Sequence, residues 1–216
     1  MNRSHYQCVK EAAGSSAQLC VVTKKRSRQQ IMEYYDCGER LFGENHAQEL
    51  LDKVDLAPDI RWQFIGHLQR NKVRQIVPYV DCIQSLDSLA LAAVIDRECG
   101  RIGKVMKCLA EFHLAAEDTN KTGLAAEEAL PFFRECGKLA HIDVCGIMVM
   151  GPHTENEAEI ARVFTQAHDL YLQLQDAFGP DKVRILSMGM SADYRIALRC
   201  GSNMIRVGTY LFTDTD

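Results

Sequence analysis

Eight short β-prone runs, each followed by a stretch suited to a helix, recur along the chain at intervals of roughly 20–35 residues, the length of one βα unit. The strand-like runs are Gln18–Thr23, Leu41–Glu44, Trp62–Gly66, Asp81–Leu86, Val105–Phe112, Val144–Met150, Val183–Gly189 and Met204–Thr209. Between them, Arg28–Cys37, His46–Val54, Leu68–Val80, Ser88–Gly100, Ala125–Gly137 and Glu155–Phe178 suit helices. The central runs are apolar on successive residues, the pattern of strands covered on both faces. Eight such units close most simply as a (β/α)8 TIM barrel, and one domain over residues 1–216 is expected, below the ~250 residues typical of the fold. A further N-terminal helix, Ser4–Ala13, is expected to cover the barrel floor. An open doubly wound sheet would need a Gly-rich turn after the first strand, where the chain reads Thr23-Lys24-Lys25-Arg26.

Composition narrows the function classes. Lys and Arg total 25 against 29 Asp and Glu, a net charge of −4, so nothing in the bulk charge favours nucleic acid. No apolar run approaches the ~20 residues of a membrane span, and the N-terminus lacks the apolar segment of a secretory signal; a cytoplasmic protein is expected. The nine cysteines are scattered without a C-x-x-C pair, which reads as reduced core thiols rather than a disulfide framework or a zinc site.

The chemistry-bearing residues gather at the predicted strand ends. Leu186-Ser187-Met188-Gly189-Met190-Ser191-Ala192-Asp193 and Arg206-Val207-Gly208-Thr209 end strands 7 and 8, where barrels hold phosphate. Glycine lets backbone N–H groups approach an anion, and Ser191, as N-cap of a helix Ala192–Cys200, would add a hydroxyl. Two ordinary strand ends and a helix cap would account for the same residues. Lys24 ends strand 1, where apolar surroundings would favour the uncharged amine that attacks a carbonyl; a solvated rim lysine is the plain alternative. An aldehyde carrying a phosphate satisfies both features, and that cofactor is pyridoxal 5′-phosphate. Asn45 would reach the ring's phenolic oxygen or cap the next helix. Arg206, pointing inward, would face the pyridine nitrogen and make the ring a weaker electron sink. His67 would line the mouth or cap the next helix, and Lys121 is a second amine in a polar loop after strand 5.

Val22-Thr23-Lys24, Phe42-Gly43-Glu44-Asn45, Phe64 through Lys72, Ser85-Leu86-Asp87-Ser88, Leu186 through Tyr194 and Arg206-Val207-Gly208-Thr209 together resemble the pyridoxal-phosphate homeostasis proteins, in order and over nearly the whole chain. That family is similar in fold to the barrel domain of alanine racemase. The resemblance implies that Lys24 bonds the cofactor as a Schiff base, Asn45 contacts it near that bond, Arg206 faces the pyridine nitrogen, and Ser191, Gly208 and Thr209 bind the phosphate. It also implies a protein that binds, buffers and hands on the cofactor, with apo forms of pyridoxal-phosphate enzymes as recipients. The chain departs from the family at Arg26-Ser27, at Glu117-Asp118-Thr119-Asn120 and at Met150-Gly151-Pro152-His153-Thr154, all on the rim, where affinity and exchange are set.

A racemase- or decarboxylase-like enzyme on the same barrel is the alternative. Racemisation needs acid and base on opposite faces of a carbon, and in related racemases the second group comes from a C-terminal β domain. Only seven residues follow Thr209, so no such domain is expected, and a carrier without turnover, a monomer or weak homodimer, is the leading expectation.

Overall fold

The computed structural model describes residues 1–115 and 122–213. Eight parallel strands close in sequence order: β1 (Gln18–Val22), β2 (Leu41–Glu44), β3 (Arg61–Phe64), β4 (Val80–Leu86), β5 (Met106–Phe112), β6 (Ile142–Val149), β7 (Ile185–Ser187) and β8 (Met204–Val207). The expected (β/α)8 TIM barrel is the architecture found, closed by β1 against β8 with Leu19 opposite Ile205 and Cys20 opposite Arg206. Alternation decides what faces where. Leu19 and Val21 join the core beneath the helices, while Cys20 turns inward with Leu41 and Met204.

The barrel interior is apolar in part and polar toward its open end. Cys82, Leu109, Cys145 and Met148 form one buried cluster. Above it Ser187 Oγ donates to Gln84 Oε1 at 2.7 Å, and Gln84 Nε2 donates to Gln63 Oε1 at 3.0 Å. Side chains from β4 and β7 meet only across the inside of a closed sheet, so these amides lie in the barrel. Their mutual pairing offsets the cost of burying them.

The outer helices are α1 (Arg3–Ala13), α2 (Arg28–Asp36), α3 (Ala47–Leu51), α4 (Val73–Ile76), α5 (Leu89–Gly100), α6 (Ala129–Cys136), α7 (Glu157–Phe178), α8 (Tyr194–Arg199) and α9 (Thr209–Phe212). Ser27 opens α2 with a capping box, accepting from Gln30 N while Gln30 returns a bond to the Ser27 N–H. The stretch expected as one helix from Leu68 to Val80 is a 3₁₀ turn, Arg70–Lys72, running into the four-residue α4; Pro78 ends it, since proline has no N–H to continue the helical ladder.

Helix α1 departs from expectation. It lies on the outer wall beside β1, not across the floor. The Asn2 side chain caps it by accepting from His5 N, the Asn2 N–H donates to Leu211 O, and the His5 ring stacks on Tyr210 at 4.0 Å, all at the end of the barrel where β8 finishes. The reason is a gap in the helix ring. The described residues after β8 form the single-turn α9, and α1, with Val9 and Ala13 buried, packs in the wall against β1, α8 and α9. No helix among the described residues is long and apolar enough to cross a membrane.

Candidate functional site

At the C-terminal ends of β1, β2 and β8 lies a cavity of about 380 Å³, lined by Val22, Lys24, Lys25, Arg26, Asn45, His46, Gly208 and Thr209. That volume is within the range of small-molecule sites. Four of the six residues expected to bind the cofactor, Lys24, Asn45, Gly208 and Thr209, therefore meet in one hollow although as many as 185 positions separate them. Ser191 joins them through its Oγ, which accepts from Gly208 N at 3.3 Å and Tyr210 N at 3.2 Å. This corrects the expected role of Ser191. The first residue of α8 is Tyr194, two residues later than expected, with Asp193 before it, so Ser191 caps no helix and instead ties the loop after β7 to the loop after β8.

The physical reason is Asp193. Its Oδ1 accepts from Met190 N at 2.5 Å, folding the Met190–Asp193 segment into a turn before the helix begins, and Gly189 adopts the left-handed φ of +97° that lets the chain enter that turn. Burial pushes the Asp193 carboxyl up, opposed by the Met190 N–H and the Arg206 charge. The Gly208 backbone lies against β1, so a Cβ there would fall 3.1 Å from Val22 Cβ.

Arg206 points inward, as expected, and is buried. Its Nη1 donates to Ser187 O at 2.8 Å and to Ser187 Oγ at 2.7 Å, and Nη2 donates to Val149 O at 3.1 Å. Burial lowers the guanidinium from its ordinary value, opposed by Cys20, Asp193 and Glu111. Held by the β6 and β7 backbone, it is a rigid cation one residue before the Val207–Gly208 turn.

Asn45 does not cap α3. His46 precedes that helix without a side-chain bond to it, and Asn45 Oδ1 is buried with no partner among the described residues. An unpaired buried acceptor costs free energy, about 1–3 kcal/mol, and this one belongs to a residue that lines the cavity. Gly66 makes this position possible: a Cβ on residue 66 would sit 2.2 Å from Asn45 O, so only glycine lets β3 pass behind the asparagine.

Lys24 is exposed rather than shielded by apolar neighbours, because the chain leaves the strand at Thr23 and turns onto the rim. His67 is exposed too; it starts no helix, and its Nδ1 lies 3.4 Å from Asp87 Oδ2, beside a hollow of about 800 Å³ that Lys24 does not line. Lys121 and the departure Glu117–Asn120 lie outside the described residues.

The alanine racemase N-terminal domain model matches residues 3–216. A pyridoxal phosphate homeostasis protein of Helicobacter pylori is 34% identical over 200 residues, covering 91% of this chain and 87% of its own length. One from Aquifex aeolicus is 33% identical over 215 residues, covering 98% and 93%. The chain belongs to the pyridoxal phosphate homeostasis proteins. Among solved structures, PipY of Synechococcus elongatus with pyridoxal phosphate bound is similar to this homeostasis protein with a TM-score of 0.88 and 32% identity, over 97% of this chain and 99% of that one. Without the cofactor PipY gives a TM-score of 0.91 at 34% identity. Alanine racemase of Clostridium difficile shares the fold, with a TM-score of 0.82 at 16% identity over 99% of this chain and 55% of its own.

Two groups of residues escaped the sequence reading. On β5, Glu111 is buried, and burial followed by the charge of Asp87 pushes its carboxyl up to about 7, against the opposing pull of Arg206 and a hydrogen bond from Thr122. Its signal was a charged residue at the end of a strand otherwise apolar from Cys108 to Phe112. Behind Lys24, Glu44, Glu49 and Lys53 form an ionic cluster, with Lys53 Nζ 2.6 Å from Glu44 Oε1 and 3.5 Å from Glu49 Oε2. Glu49 and Lys53 stand four apart on one helical face, but nothing in that spacing says that they reach back to β1.

Proposed function

We propose that this homeostasis protein binds pyridoxal 5′-phosphate covalently through Lys24 and serves to hold and pass on the cofactor rather than to turn over a substrate. The observation that carries the reading is the convergence of Lys24, Asn45, Gly208 and Thr209 on one cavity, with the Asn45 amide oxygen left without a partner among the described residues. The residues fit the group. Asn45 offers an acceptor near Lys24, Arg206 a buried cation inward of the rim, and Gly208, Thr209 and Ser191 offer N–H and hydroxyl donors suited to a phosphate. Lys24 supplies the amine: its nitrogen bonds the aldehyde carbon and the aldehyde oxygen leaves as water.

The bound cofactor supplies an electron sink to any amine joined to it, and this chain's residues limit that chemistry. Arg206 is anchored to Ser187 and Val149 and remains cationic at neutral pH, so it disfavours a second positive charge on a nitrogen beside it. The electron sink is then weaker than one paired with a carboxylate. Lys24 stands at an exposed rim, where water has the access needed to release the cofactor to an apo-enzyme.

The test is borohydride reduction of the protein after incubation with pyridoxal phosphate, read by intact mass, followed by incubation of the unreduced complex with a panel of L-amino acids. One cofactor mass added at Lys24, no steady turnover, and recovery of activity by an apo-enzyme mixed with the complex are expected. An unchanged mass overturns the binding reading. Steady turnover of any amino acid overturns the carrier reading in favour of a racemase- or decarboxylase-like enzyme.

A further inference from the structure

The chain places two lysines side by side on the rim, and both Lys24 and Lys25 are exposed and line the same cavity. A primary amine's chemistry does not distinguish them; backbone direction does. We propose that Glu49 and Lys53, braced by Glu44 and Thr23, are positioning residues that fix the Lys24–Lys25 turn so that the cofactor bonds Lys24 rather than Lys25. This inference rests on the covalent reading above.

Each peptide group of Lys24 is held by a side chain from the second βα unit. On its N-terminal side, the Thr23 carbonyl accepts from Lys53 Nζ at 2.9 Å and from Arg26 N at 3.1 Å, which closes a turn over Lys24 and Lys25. On its C-terminal side, the Lys25 N–H donates to Glu49 Oε2 at 2.7 Å. Lys25 is the one non-glycine residue among the described residues with positive φ, at 58°, a conformation that a lysine adopts only under external constraint. The Glu49 carboxylate on its N–H and the Lys53 ammonium on the preceding carbonyl supply that constraint.

The brace continues into the barrel wall. Lys53 and Glu44 are both buried, Glu44 Oε1 accepts from Lys53 Nζ at 2.6 Å, and Thr23 Oγ1 donates to the same oxygen at 2.6 Å. Burying an ion pair gives little net stability compared with apolar residues of similar volume, but it fixes geometry through directional bonds. Here each of those bonds ends on Thr23 or on the residues that hold the turn. Burial pushes the Glu44 carboxyl up, while Lys53 and Thr23 draw it down, which ties its charge to the two groups it orients. Loss of either contact frees the Lys25 backbone from its left-handed conformation and swings both amines relative to the cavity.

The experiment measures where the cofactor attaches. Wild-type protein and the variants Lys53→Met, Glu49→Gln, Lys53→Arg and Glu49→Asp are incubated with pyridoxal phosphate, reduced with borohydride and digested, and the adducts at Lys24 and Lys25 are quantified by mass spectrometry. The wild type is expected to carry the adduct at Lys24. In Lys53→Met and Glu49→Gln the ratio of Lys24 to Lys25 adduct should fall about tenfold, the effect of losing one charge-assisted bond, with partial recovery in the conservative variants. A merely stabilising role would lower the denaturation midpoint without moving this ratio. Glu49 is part-exposed, so Glu49→Gln retains the fold even where Lys53→Met does not. An unchanged ratio in folded Glu49→Gln, or a wild type labelled equally at both lysines, overturns the inference. A wild type labelled at neither overturns the covalent reading itself.

Discussion

The β8–β1–β2 side of the barrel mouth carries Lys24, Lys25, Arg26 and Arg206, whereas the β4–β5 side carries Asp87 and Glu111. On the first side donors converge on a cavity of about 380 Å³ and an amide oxygen is left without a partner among the described residues. On the second, one buried carboxyl holds its proton near neutral pH because burial and Asp87 both penalise its charge. On the proposed reading the difference would let a barrel with a net charge of −4 receive a dianion, since Lys24, Lys25, Arg26 and Arg206 stand apart from Asp87 and Glu111. It also separates what the site needs for binding from what the fold tolerates, since Arg206 is braced by bonds to backbone and Glu111 by little beyond Thr122.

Three changes would break or sharpen this contrast. The largest effect is expected from Lys24→Ala, which removes the amine on the cationic side and should abolish the reducible adduct altogether, as read by intact mass after borohydride; an adduct persisting in full at Lys25 would show that the rim, not Lys24, is the reactive element. Glu111→Gln addresses the acidic side. A carboxyl raised to about 7 in the folded state lends stability that is complete below its unfolded value of 4.5 and is lost as pH rises through 7. The cofactor-free variant should therefore be more stable than the wild type above neutrality, by about 3 kcal/mol at most, and the two should converge near pH 4. Denaturant midpoints that differ by the same amount at every pH from 4 to 8 would refute the assignment.

Thr209→Val should have the smallest effect. Removing one hydroxyl donor from the phosphate side is expected to weaken pyridoxal phosphate binding about tenfold while leaving pyridoxal, which lacks the phosphate, unaffected. Equal weakening of both ligands would place the phosphate elsewhere on the mouth.

Much of this was legible in the amino-acid order. The strand-like runs coincide with β1 to β8 to within a few residues, because a buried parallel strand needs a continuous apolar run and the rim needs Gly, Ser, Thr or Glu to end it. Lys24, Asn45, Gly208 and Thr209 were visible for the same reason: they stand at strand ends, and strand ends share one face of a barrel. Ser191 was visible as a hydroxyl but not in its role, since the Met190 N–H bonds the Asp193 carboxylate and closes the turn that a serine cap would have used. The position of α1 was hidden because it depends on contacts with α8 and α9, elements far along the chain from it.

Periodicity and strand-end chemistry, read in the sequence alone, determined the closed eight-stranded architecture and the end of it that carries the polar groups. Those signals are local, and an α/β barrel converts them into position almost without choice. Tertiary structure alone decided that Lys53 and Glu49 reach back to hold the two peptide groups of Lys24, and that Glu111 feels the charges of both Asp87 and Arg206. Contacts between units are set by the twist and closure of the sheet, which no spacing along the chain encodes.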